Sequence, residues 1–142
     1  MASWRGVETG WSILECWSVS EHLWRVQPRW VFLSGGGSAW IQDCLTLIGT
    51  GGQVVTVPDL DVAPSLKTEG VISPKDSVMG IFLDEDTGLR LAQWAHLVTP
   101  GSVIGCAHND ATIAAFLAAS PDFRRLETTG RLARLTWMER RA

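Results

Sequence analysis

Apolar and polar positions alternate along the chain in blocks that change period, and the blocks predict an α/β order. Residues 12–26 carry apolar side chains at roughly helical spacing, with Trp11, Trp17 and Trp24 recurring and Ile13, Leu14 and Leu23 between them. Ser12 is a possible cap, and Pro28 disfavours helix at the residue before it. Trp30-Val31-Phe32-Leu33 is a short apolar strand. Ser34-Gly35-Gly36-Gly37-Ser38 follows, and Ala39 to Ile48 reads as a helix with Ile41, Cys44, Leu45 and Ile48 on one stripe. Gly49-Thr50-Gly51-Gly52 stops it. Gln53 to Val57 is a second strand, and residues 58–77, rich in Pro, Ser, Thr and Asp, read as loop. Val78 to Leu83 and Val103 to Ala107 are further strands, with a helix over Leu89 to Val98 between them. A helix from Ala111 to Ala119, capped by Asp110, and two strands over Phe123–Glu127 and Leu132–Met138 around a turn at Gly130 complete the pattern.

Strands joined by helices imply parallel pairing through crossovers. The expected fold is therefore α/β: a Rossmann-like, mostly parallel sheet with helices on both faces and a C-terminal antiparallel hairpin. Length fits one domain over 1–142, with 1–29 as a Trp-rich helical lead-in.

Composition narrows the function classes. A net charge of −3 gives no support to general nucleic-acid binding. Arg124, Arg125, Arg131, Arg134, Arg140 and Arg141 crowd the C-terminus, either as a solvated face or as a contact for an anionic substrate or partner. Cys16, Cys44 and Cys106 show no metal spacing and sit among apolar residues, as buried thiols of a reducing cytoplasm do. No apolar run reaches transmembrane length, so neither secretion nor membrane insertion is expected. Six of the eight Trp fall within the first 40 residues. That concentration marks either core or a subunit interface, and it predicts a homo- or hetero-oligomer through the N-terminal helix.

Candidate chemistry gathers where strands end, because ligands of open α/β sheets bind beyond the carboxyl ends of the strands. Gly35, Gly36, Gly37 and Ser38 can seat a nucleotide-like cofactor against a helix N-terminus, or form only a tight turn. Asp59 and Asp61 follow the second strand, where an acid can hold ribose hydroxyls; the plain alternative is an acidic loop in solvent. Asp84, Glu85 and Asp86 end the third strand, and His108, Asn109 and Asp110 end the fourth. The oxygens of Asp84, Glu85, Asp86, Asn109 and Asp110 suit Mg²⁺ or Ca²⁺, and Asp86 or Thr87 and Asp110 also suit helix capping. His108 is a candidate base, since imidazole titrates near neutrality. His22 and His96, within helices, read as ordinary surface or satisfied residues.

The order strand–GGGS–helix–GTGGQVVTV–LDEDTG–helix–LVTPGSVIG–AHND resembles the class I S-adenosylmethionine-dependent methyltransferases. More narrowly it is similar to the cephalosporin hydroxylase / rhamnosyl O-methyltransferase group and its macrocin O-methyltransferase relatives. Gly36-Gly37-Ser38, Leu83-Asp84-Glu85-Asp86, Leu97-Val98-Thr99-Pro100-Gly101-Ser102 and Pro121-Asp122-Phe123 carry the likeness, with Trp4-Arg5-Gly6-Val7 as its lead-in. The resemblance implies methyl transfer from S-adenosylmethionine to a small-molecule hydroxyl, on a sugar or a secondary metabolite. It assigns the methionine part of the cofactor to Gly35, Gly36, Gly37 and Ser38, and the ribose to Asp59 or Asp61. It assigns a divalent metal such as Mg²⁺ to Asp84 and Asp110 with Asn109 helping, and proton acceptance to His108.

The chain also departs from that pattern. Leu33-Ser34 stands where the group has an acid before its glycines, Pro58 displaces the next acids, and Thr87 replaces a His. Residues 58–77 are too few for the helix, strand and helix that normally cover the adenine. These departures favour the alternative of a catalytically inactive methyltransferase-like subunit or binding module that associates with a protein partner.

Overall fold

Side chains that alternate between two faces of one sheet organise the molecule. A computed structural model describes residues 3–4, 7–8, 11–34, 37–56, 75–82, 95, 98–107, 110–126 and 135–141. Within them, β1 (Ser3–Trp4) and β2 (Val7–Glu8) pair as a small antiparallel ladder that the sequence pattern did not foretell. Then come α1 (Ile13–Val26), β3 (Trp30–Ser34), α2 (Ser38–Ile48), β4 (Gln53–Thr56), β5 (Val78–Phe82) and β6 (Val103–Ala107). The last elements are α3 (Asp110–Ala119), β7 (Phe123–Arg125) and β8 (Leu135–Arg140).

The six main strands lie in the order β4-β3-β5-β6-β8-β7. The first four run parallel, β8 is antiparallel to β6, and β7 is antiparallel to β8. This is the expected mostly parallel sheet with a C-terminal antiparallel hairpin.

Period-two alternation sends Val31, Leu33, Met79, Ile81, Val103, Leu135 and Trp137 to one face, where α1 and α2 cover them. The residues between, Phe32, Val78, Phe82, Ile104, Cys106 and Met138, face the other side with Ile113 of α3 and Phe123. Burial on both faces explains why these strands read as continuous apolar runs.

Local chemistry sets the ends of the helices. Ser12 caps α1: its Oγ accepts from the Glu15 N–H at 3.2 Å and donates to Glu15 Oε1 at 3.1 Å. The helix stops where Gln27 turns left-handed, at φ 49°, ahead of Pro28. Gln42 ties α2 to β4, since its Oε1 accepts from the Val54 N–H at 3.0 Å and its Nε2 donates to the Gly52 carbonyl at 3.3 Å. Asp110 is the first residue of α3 rather than the cap before it. Of the helix expected over 89–98 only Ala95 and Val98 are described, and the turn at Gly130 lies outside the described residues.

Trp137 fixes α1 to the sheet. Its indole N–H donates to Ser18 Oγ, and its ring lies 4.2 Å from the His22 ring, centroid to centroid. Opposite it in the ladder, Gly105 leaves room for the indole. A β-carbon there would come within 2.7–2.9 Å of the Trp137 ring atoms.

The Trp11, Trp17 and Trp24 series divides. Trp11 is buried in the core, whereas Trp17 and Trp24 are exposed. His22 is likewise not an ordinary surface residue but is buried. An arginine only donates, so the 3.2 Å contact from Arg25 Nη2 makes His22 Nδ1 an acceptor and puts the ring hydrogen on Nε2. That Nε2 is buried with no hydrogen-bond partner. Burial first, and the Arg25 charge second, lower the His22 pKa from 6.5 to about 4.

The three cysteines are free and buried, as expected. Burial pushes the Cys106 thiol up to about 12, against a small opposing pull from Arg125. Burial, aided by Asp43, also raises Cys44. Among the described residues, no helix is long and apolar enough to cross a membrane.

Candidate active edge

Four parallel strands end at one edge of the sheet, and the chain reverses its direction of travel there. From β3 it moves through α2 to β4 on one side, and then returns to β5 on the other. The crevice between the ends of β3 and β5 is the topological switch point, where open α/β sheets bind ligands. Ser34 and Phe82 stand across it in register, and both are buried.

Gly37 leads into α2 at this crevice. Gly37 is the N-cap of α2 with φ 106°, a conformation that L side chains rarely adopt. Ser38 is the first residue of the helix and is exposed. No acid occupies the first turn of α2, so its N–H groups and the positive end of its dipole are not neutralised from within the helix. Such an end suits an anionic group, for example a carboxylate or a phosphate.

Two indoles form the floor of the turn. A β-carbon on Gly37 would lie 2.7 Å from Trp11 Nε1 and 3.0 Å from Trp40 Nε1. The two rings meet edge to face, with centroids 5.6 Å apart and planes at 79°. Sequence reasoning missed this floor. Trp40 sits two positions past Ser38 in the helix, which gave a local signal. Trp11 gave none, because it reaches the turn from a segment 26 residues earlier.

Gly37 and Ser38 therefore stand at the switch point, between the end of β3 and the start of α2. The α3 backbone starts at Asp110 directly after β6, which puts that residue at the same edge. Gly35, Gly36, Asp59, Asp61, Asp84, His108 and Asn109 lie outside the described residues. Among the described residues, no group of three or more His, Cys, Asp or Glu could hold a metal ion.

The Val98-Thr99-Pro100-Gly101-Ser102 segment belongs to the opposite end of the sheet. Thr99 Oγ donates to the Asp76 carbonyl at 3.0 Å, and Ser102 Oγ accepts from the Val78 N–H at 3.1 Å. The Gly101 N–H donates to the Arg140 carbonyl at 2.8 Å, and Arg140 Nη1 donates to the Val98 carbonyl at 2.7 Å. The motif joins the starts of β5 and β6 to the end of β8. Its part is to align strands rather than to touch a ligand.

No family model and no curated protein matches the sequence. Solved structures do match the fold. CmcI in its apo form superposes with a TM-score of 0.68 at 18% identity, covering 99% of this chain and 76% of that one. CmcI with SAH gives 0.70 at 20% identity, covering 99% and 83%. CmcI with Mg and SAM gives 0.69 at 18% identity, covering 99% and 77%. The chain has the CmcI fold. At this identity the likeness speaks for the fold, and it agrees with the architecture implied by the methyltransferase-like motifs.

Proposed function

We propose that the protein binds S-adenosylmethionine at the carboxyl edge of its sheet and transfers the methyl group to a small-molecule hydroxyl, on a sugar or a secondary metabolite. One observation carries this. The Gly37 turn opens α2 at the switch point of a fold shared with CmcI structures that hold SAH or Mg and SAM. The donors present fit the cofactor. A helix N-terminus without a first-turn acid, entered through a glycine at positive φ, suits the carboxylate of a methionine moiety.

In this reading Gly35, Gly36, Gly37 and Ser38 hold the methionine part, and Asp59 or Asp61 holds the ribose hydroxyls. Asp84, Asn109 and Asp110 supply hard oxygen ligands for Mg²⁺. When bound, that ion would orient the acceptor hydroxyl and make it more acidic. His108 takes the hydroxyl proton as the new C–O bond forms. The remaining contribution of the chain is placement of the hydroxyl in line with the methyl donor.

Calorimetric titration of the full chain with S-adenosylhomocysteine and S-adenosylmethionine tests this. Saturable binding of both is expected, and no heat with ligand in the millimolar range refutes the reading.

A second reading is an inactive methyltransferase-like module that serves a protein partner. It is favoured by β4 being an edge strand among the described residues, with only residues 57–77 before β5. In that case neither cofactor form binds, although the chain is folded.

A further inference from the structure

The outer face of α1 is apolar where an ordinary surface helix is polar. Trp17 is 72% exposed, Ile13 61%, Trp24 51% and Leu14 37%. Glu15, Cys16, Ser18, Val19, His22 and Leu23 of the same helix face the core, so α1 already has its buried side. The outer residues Ile13, Trp17, Ser20 and Trp24 follow one another at intervals of four, three and four. That is the spacing of a coiled-coil seam over two heptads.

We infer that this seam is the interface of a homodimer, in which α1 packs antiparallel against α1 of a second copy. The order of sizes along the seam makes it complementary to itself. In antiparallel helices related by a two-fold axis, each first-type seam position faces a second-type position of the partner. Trp17 then faces the partner's Ser20, and Ser20 faces the partner's Trp17. Ile13 faces the partner's Trp24, and Trp24 faces the partner's Ile13. Each indole meets a smaller side chain, and no two indoles compete for one hole. Any partner with bulky residues throughout its seam would clash with Trp17 and Trp24 and leave Ser20 uncovered.

Charge and area agree with this occupant. Glu21 and Arg25 border the seam with one charge of each sign, so two copies meet without net repulsion. Arg25 is held on its own subunit by Glu139, with Nη1 3.3 Å from Oε2. The four apolar side chains expose roughly 400–500 Å² per copy, given about 150–250 Å² for a whole aromatic residue. A standard interface takes about 800 Å² from each partner, so these four side chains supply about half of it or more, and Glu21 and Arg25 lie at the seam's margin. The helix is about 21 Å long over its 14 residues, enough for the two layers on each side of the axis.

Sedimentation velocity on the full chain, from low micromolar to about 100 µM, tests the proposal. A doubling of mass with concentration is expected. The Trp17→Ser/Trp24→Ser variant should be monomeric throughout, with an unchanged far-UV spectrum. Ser20→Lys, which fills the hole with a charge and leaves both indoles in place, should also abolish the dimer, while Ser20→Ala keeps it. A wild-type chain that is monomeric at every concentration overturns the inference. So does a dimer that survives in a folded Trp17→Ser/Trp24→Ser variant or in Ser20→Lys.

Discussion

The indole nitrogen of Trp11 stands 2.7 Å from the point where a β-carbon on Gly37 would lie. The N-terminal segment thus sets the shape of the turn that opens α2, although 26 residues separate the two in sequence. Gly37→Ala meets both the positive φ and the indole. It should destabilise the fold by about 1–3 kcal/mol and weaken S-adenosylmethionine binding at least tenfold. Urea unfolding and calorimetric titration measure the two effects separately. Unchanged affinity in a folded variant would remove the turn from the cofactor site.

Asp84 carries the metal part of the proposed reaction. Asp84→Ala should abolish Mg²⁺-dependent methyl transfer and leave S-adenosylhomocysteine affinity within a few-fold of wild type, because the proposed reading gives metal binding and cofactor binding to different residues. Titration with Mn²⁺ followed by electron paramagnetic resonance gives a readout that needs no acceptor substrate. Undiminished Mn²⁺ binding by the variant would count against the assignment.

Gly105 and Trp137 are coupled through contact. Gly105→Ala puts a methyl group into the indole ring, which must move away from Ser18. A loss of about 1–3 kcal/mol is expected, with a changed near-UV spectrum. In a Trp137→Phe background the same substitution should cost less, because the smaller ring leaves space. A double-mutant cycle reads the coupling, and strict additivity would show that the two residues act independently.

His22 makes stability depend on pH. Its pKa is about 4 when folded against 6.5 when free, so the unfolded chain binds the proton more tightly between those values. The stability that rests on the neutral ring is complete above pH 6.5, is lost as pH falls through this window, and is gone below about 4. Wild type should lose about 3 kcal/mol there, relative to His22→Gln, which does not titrate. Denaturation midpoints of both proteins at pH 7, 5.5 and 4.5 give the comparison. Parallel curves would show that His22 is free to protonate without leaving its place between Trp137 and Arg25.

Much of this molecule is written in local sequence. The apolar runs of β3, β5 and β6 are legible because strands covered on both faces need no polar alternation. The ends of α1 are legible because Ser12 and Pro28 act on neighbours a few residues away. The position of Gly37 and Ser38 just past the carboxyl end of β3 follows from the strand–glycine–helix order, whereas the switch point there comes from the spatial order β4-β3-β5. The Thr99 and Ser102 hydroxyls were visible as a motif, but their work at the far end of the sheet depends on Asp76, Val78 and Arg140.

Sequence by itself therefore determined the α/β class and the order of α1, β3, α2, β4, β5, β6, α3, β7 and β8. Those properties follow from periodicity and capping, which act over one or two turns of chain. Only the tertiary structure decided which tryptophans are core and which are surface. Trp11, Trp17 and Trp24 share a helical spacing, yet Trp11 packs on Trp40 beneath the Gly37 turn while Trp17 and Trp24 face outward. The physical reason is that Trp11 precedes the Ser12 cap and is not bound to the helical face of the other two. Its partner is chosen by the packing of α2, which no local pattern encodes.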